Sequence, residues 1–261
     1  MTEYVVIAVI SMMLSFIASM LGLGGAVLLI PAYLYLPQHL GAEPLGIKTV
    51  SGMTSVQVLA TSLLSVILHH RRGAVNRRIV LWMGLPIVLS SFLGAIYSRD
   101  ANPQLIIIVF SLMAFVGSAL VMLKREDLPD YSPETDFQPF TAGTIALCVG
   151  FFAGLAGAPG AFILSPIMMT VLRVPTRLTI GSTLGIVLMA SASTSAGKFL
   201  AGQVHPDLAA AAILGAIPGS FAGSALSHRL DVRTLRSILA VIIALVGITM
   251  LLQSLGVFPR S

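Results

Sequence analysis

The sequence predicts an all-α, polytopic membrane bundle made of two inverted halves, and three observations point there. First, the 261 residues are 56% apolar and only 10% charged, with a mean hydropathy of +0.97. Soluble domains carry about 25% charged residues. Second, apolar runs of membrane-crossing length recur from end to end, without the short alternating segments of a transmembrane barrel. Third, the chain repeats itself. Gly22-Leu23-Gly24-Gly25-Ala26 with Pro31 returns as Gly157-Ala158-Pro159-Gly160-Ala161 with Pro166.

Ten hydrophobic elements follow in order. The first, 4–21, is flanked by Glu3 without Lys or Arg and runs on into the glycine motif, so it reads as mature structure and not as a signal peptide. The second, 25–36, spans only about 18 Å at 1.5 Å per residue, short of a ~30 Å hydrocarbon core. Full-length elements at 49–68, 79–97 and 104–123 complete a membrane repeat over residues 1–123. Residues 124–138 are polar, hold Pro129 and Pro133 and carry five of the ten acidic residues, which makes them a linker. The second repeat, 139–261, has elements at 140–155, 160–172 (again short, about 20 Å), 179–200, 208–226 and 234–252. Gly52, Thr54, Gly73 and Gly94 align with Gly181, Thr183, Gly202 and Gly223 once six residues are dropped from the loop after Pro37. Duplication explains such matches.

Loop charge sets the orientation. With a change of side after each element, eleven of the fifteen Lys and Arg residues fall on one face. Only Lys48, Arg99, Lys198 and Arg260 fall on the other. The basic face is cytoplasmic by the positive-inside rule, so the linker is cytoplasmic and both termini face outward. That bias accounts for the pI near 9.8 without nucleic acid. Five elements per half is odd, so the halves are inverted. The first two elements of each half read as hairpins with glycine tips inside the membrane, and eight or ten crossings both satisfy the pattern.

Each glycine break is followed at once by a helix start. Free N–H groups and the positive helix end there suit an anion, which makes Gly22, Gly24, Gly25, Gly157 and Gly160 candidate ligand groups, with Pro31 and Pro166 structural. Tight helix packing is the competing use of such glycines. Hydroxyls recur on 49–68 and 179–200, and Thr54, Ser182 and Thr183, beside Gly181, are the candidates among them. Interhelical hydrogen bonding is the alternative role. Lys198 occupies the position matched by His69; it reads first as a snorkelling interfacial lysine and as a functional one if deep. His69, His70 and His205 leave proton coupling open, though histidines beside Arg71 and Arg72 read as loop residues.

Absences narrow the class. All ten carboxylates fall in loops or at element ends, so a cation pump lacks its intramembrane acid. No Walker loop, zinc-type pattern or catalytic triad is present, so neither an enzyme nor a cofactor or metal site is expected. Cys148 stands alone, which excludes an intrachain disulfide. Gly150 and Gly154, and Gly215, Gly219 and Gly223, read as helix packing.

The glycine motif, the His69-His70-Arg71-Arg72-Gly73-Ala74-Val75 turn, and Gly154-Leu155-Ala156-Gly157 with Ile180-Gly181-Ser182-Thr183 resemble the TauE/SafE sulfite exporter family, also called the 4-toluene sulfonate uptake permease family. The resemblance covers nearly the whole chain. It implies an inner-membrane carrier for sulfite, sulfonates, sulfoacetate or related organic anions. This chain has Gly24-Gly25-Ala26 where members often have three glycines, and Gly52-Met53-Thr54 in the first-half counterpart of Gly181-Ser182-Thr183. The expectation is a secondary transporter moving a small anion by alternating access. An anion channel or a carrier of a non-sulfur carboxylate is the alternative. Direction, coupling ion and a homodimeric state are left open.

Overall fold

Helix ends in this chain are written by a few residue types. Asn76 caps one helix, its Oδ1 accepting from Ile79 N at 3.1 Å. Pro103, Pro139 and Pro206 each open a helix, where a missing N–H costs nothing. Gly157 (φ +72°) and Gly202 (φ +70°) follow helix ends in the left-handed region. In the computed structural model the described residues are 2–21, 26–69, 76–122, 137–227 and 248. Among them nine helices are assigned end to end and no strand is present: α1 Thr2–Leu21, α2 Ala26–His39, α3 Ile47–His69, α4 Arg77–Tyr97, α5 Pro103–Met122, α6 Pro139–Ala156, α7 Ala161–Thr170, α8 Thr176–Leu200 and α9 Pro206–Ser227. The all-α membrane fold expected from the sequence is the fold observed. The tenth expected element, 234–252, lies outside the described residues but for Ile248.

Five helices, α3, α4, α5, α6 and α8, are long and apolar enough to cross a membrane. The 14 residues of α2 and the 10 of α7 reach only about 21 and 15 Å. Both short elements therefore sit where expected. Internal prolines (Pro31 and Pro37 in α2, Pro86 in α4, Pro166 in α7, Pro218 in α9) are carried because neighbouring helices shield the freed carbonyls. On α4, Leu81, Leu85, Leu89 and Leu93 are exposed at four-residue spacing, the stripe a lipid-facing helix presents.

Close packing comes from small residues. A Cβ at Gly215, Gly219 or Gly223 of α9 would stand 2.0–2.2 Å from the carbonyl oxygens of Ala8, Met12 and Phe16 on α1. One at Gly154 of α6 would stand 2.0 Å from Ser91 O of α4, and one at Gly150 would meet Ser90 and Ile87. Both series climb together, so α1 and α9 run parallel, as do α4 and α6. The packing role expected for these glycines is the one they play. By contrast α3 and α8 cross antiparallel, joined by Ser51–Lys198 near one end and Ser62–Ser191 further along.

The sequence alignment of the halves pairs α1 with α6, α3 with α8 and α4 with α9. The most extensive helix contacts, α1 on α9 and α4 on α6, change into one another under that exchange. Gly223 meets Phe16 O and Gly94 meets Phe151 O, two contacts between matched positions. Ser62 and Ser191 are themselves a matched pair, 3.2 Å apart.

Candidate functional site

The second glycine break is a helix end followed by a helix start. Gly157 N and Ala158 N close on Gly154 O (3.2 Å) and Ala153 O (3.0 Å), and Gly157's positive φ turns the chain. Gly160 then precedes α7 as its N-cap, without a side-chain cap. A Cβ at Gly157 would lie 2.4 Å from Ser51 O and 2.5 Å from Ser51 Cβ, so the break is pressed against the start of α3. Only glycine fits there. The first break, Gly22, Gly24 and Gly25, lies outside the described residues, immediately before α2.

Lys198 ends up beside the second break. Its side chain is 0% exposed, which corrects the snorkelling expectation. Near the end of α8 it turns inward because oxygen atoms from three other helix ends and a loop surround it. Nζ donates to Ser51 Oγ (3.0 Å), Ser98 Oγ (2.8 Å), Leu155 O (3.0 Å) and Gln203 Oε1 (3.0 Å). Leu155 O belongs to the last turn of α6, whose carbonyls have no partner inside the helix and attract a cation. All four partners are neutral. Among the described residues Lys198 is the one charged side chain in the buried set, and no carboxylate is buried.

The other candidates divide into two groups. Thr54 lies on α3 between Ser51 and Ser62, on the Lys198 side, with its Oγ1 buried and unpartnered. Buried Gly181, Ser182 and Thr183 lie at the opposite end of α8, Thr183 about 22 Å along the helix from Lys198. Ser182 Oγ accepts from Asn76 N at 3.2 Å, while Thr183 Oγ1 is 3.5 Å from both Ser165 Oγ and Met168 Sδ. Thr183 thus touches α7 on either side of Pro166. Pro31 sits buried in α2, two residues before Tyr33. The Ser62–Ser191 contact lies between the groups, so Thr54 and Thr183 occupy matched places on opposite sides of it.

Sequence reasoning missed Ser98 and Gln203, which sit in connections that hydropathy reads as plain loops. The signal for Gln203 was Gly202: its left-handed turn brings Gln203 N onto Lys198 O (3.0 Å) and folds the residue back over the lysine. A second buried network, Tyr33 OH to Gln57 Oε1 (2.7 Å) and Gln57 Nε2 to Ser11 (2.9 Å) and Ser15 (3.1 Å), uses both N–H donors and the oxygen of the amide side chain. Ser11 Oγ donates in turn to Ala212 O. It ties α1, α2, α3 and α9 and reads as structural.

The family model described as Sulfite exporter TauE/SafE matches residues 7–250. A probable membrane transporter protein of Bacillus subtilis, YunE, is 22% identical over 98% of this chain and 99% of its own. Another from Xylella fastidiosa is 25% identical over 84% and 83%. YdhB of Bacillus subtilis, also a probable membrane transporter protein, is 22% identical over 94% and 99%. No solved structure matches. The match spans both halves and both glycine motifs of this helical membrane protein, and the chain belongs to the TauE/SafE sulfite exporter family of membrane transporters.

Proposed function

We propose that the protein is a secondary carrier of a small anion, of the sulfite, sulfonate, sulfoacetate or related organic class, working by alternating access between two inverted halves. One observation carries this reading: the buried interior of the described residues holds a cation and no carboxylate. A buried ammonium is held by hydrogen bonds or by an opposite charge; the partners of Lys198 are all neutral, so an anion is the charge that it lacks. The glycine breaks, Thr54, Ser182 and Thr183 supply further donors along the way. Support for inverted halves comes from the antiparallel crossing of the matched helices α3 and α8 and from the exchange-related contacts of α1 with α9 and α4 with α6. The carrier sits in the cytoplasmic membrane with the basic loops inside, which puts the Lys198 end outward.

Purified protein in liposomes preloaded with unlabelled anion should accumulate labelled sulfite or a short organosulfonate by counterflow. Absence of exchange for sulfite, sulfonates and carboxylates alike would exclude an anion carrier.

A further inference from the structure

Lys198 has three N–H donors and four acceptors around them. Three of the acceptors have further ties. Leu155 O is part of the α6 backbone. Ser51 Oγ donates to Lys48 O (2.9 Å) and Ser98 Oγ to Ala95 O (2.5 Å), anchoring each hydroxyl to its own helix. Gln203 Oε1 is the surplus partner: it accepts from Lys198 Nζ at 3.0 Å, while the nearby Ser98 and Ser51 hydroxyls (3.1 and 3.5 Å away) have their one proton committed to Ala95 O and Lys48 O. The other end of the same amide, Nε2, is buried without any partner. So are the hydroxyls of Thr54, Thr194 and Ser195, on the stretches of α3 and α8 between Lys198 and the Ser62–Ser191 contact. Buried polar atoms without partners are few in native structures and call for a reason. Here three of the four such side-chain atoms among the described residues lie in one half of the α3–α8 seam, and the fourth belongs to the Gln203 amide whose other end meets Lys198.

We propose that Lys198 is the fixed counter-charge for the transported anion, and that an anion oxygen takes the place of Gln203 Oε1. This rests on the anion-carrier reading above and adds the charge class of the ligand: a compact monoanion such as a sulfonate, hydrogensulfite or a carboxylate. One buried cation balances one negative charge, and Lys198 is the one charged residue among the side chains described as buried. A dianion would leave an uncompensated charge in a dry site. Displacing Gln203 costs Lys198 nothing in hydrogen bonds, because three acceptors remain for three donors. The freed amide offers its unpartnered Nε2 to the same anion. Only the side chain has to move, since the Gln203 backbone is held by the Gly202 turn and by Gly52, where a Cβ would stand 2.2 Å from Gln203 O.

The approach runs from the end that carries Lys48 and Arg99. Lys48 Nζ donates to Arg99 O at 2.6 Å, and Lys48 O accepts from Ser51, which touches Lys198. Lys48 thus ties the backbone at Arg99 to the Lys198 site.

Transport by the unmodified chain, read in liposomes with labelled sulfite, methanesulfonate and acetate, tests the carrier reading alone. With exchange established, Gln203→Glu decides the present proposal, because it tethers a carboxylate where the anion is placed. The variant should melt higher than the parent and show a KM raised by about tenfold or more, a factor of ten being one decade in affinity. Lys198→Met should lose the same affinity, with Lys198→Arg recovering part of it. A lysine that merely braces four helix ends gives a stabilised Gln203→Glu protein whose KM is unchanged, and that result overturns the proposal. Sulfate at matched ionic strength should compete far less than methanesulfonate. Equal competition by the two refutes the monoanion assignment.

Discussion

A lysine buried away from water is costly, and near the end of α8 Lys198 meets that cost with ordinary oxygen atoms in place of an acid. Removing one of them should be felt. Ser98→Ala deprives the ammonium of its 2.8 Å partner, and hydrogen bonds to charged groups are worth about 1.5–3 kcal/mol. A matching fall in stability should appear in detergent unfolding, with Ser98→Thr close to the parent; equal loss in both would remove the hydroxyl from the account. Gln57→Leu should destabilise by about 1–3 kcal/mol, since it strands Tyr33, Ser11 and Ser15 in a buried network. A neutral thermal shift would contradict that. Of the residues around the candidate site, Thr54, Gly157 and Lys198 were readable from their types and matched positions. Lys198's depth was not, because hydropathy registers a charge near the end of an apolar run and says nothing of what waits there. Ser98 is 100 residues away in the chain, and only the fold brings it near.

At the scale of helices, glycine spacing was a dependable guide where it recurs every fourth residue, because that spacing keeps one face of a helix bare for a neighbour's backbone. The local geometry separates two glycines that look alike in sequence. Gly94→Ala would push a methyl group to within 2.0 Å of Phe151 O, a backbone atom that cannot step aside, whereas at Gly185 the same methyl meets Val80 at an ordinary 3.5 Å. Overpacking typically costs about 1–3 kcal/mol. Gly94→Ala should fold poorly and lose transport, and Gly185→Ala should melt within a degree or two of the parent; comparable melting of the two would refute the α4–α6 contact. Boundaries were less legible than identities. The start of α3 at Ile47 and of α8 at Thr176 precede the apolar runs at 49 and 179 by a turn or less, because backbone hydrogen bonding continues past the point where Lys48 and Arg177 interrupt hydropathy.

Across the whole molecule, the short second elements and the correspondence of α3 with α8 were foreshadowed in the chain. The division of candidate donors between two ends was not, since matched positions say which residues correspond and not how far apart the fold holds them. Orientation has a direct check. In a Cys148→Ser background, Asp100→Cys should react with a membrane-impermeant thiol reagent from outside intact cells, and Arg173→Cys only after permeabilisation. The reverse pattern would invert the assignment. The pairing of Ser62 with Ser191 has a last consequence. If, as proposed, the halves trade conformations about it, the sequence counterparts of Lys198, Ser51, Ser98 and Gln203 for the opposite end are His69, Ile180, Ser227 and Ala74. That set offers far fewer polar bonds. The empty carrier should then spend most of its time with the Lys198 end sealed, and unsealing it, rather than carrying the cargo across, should set the pace of each cycle.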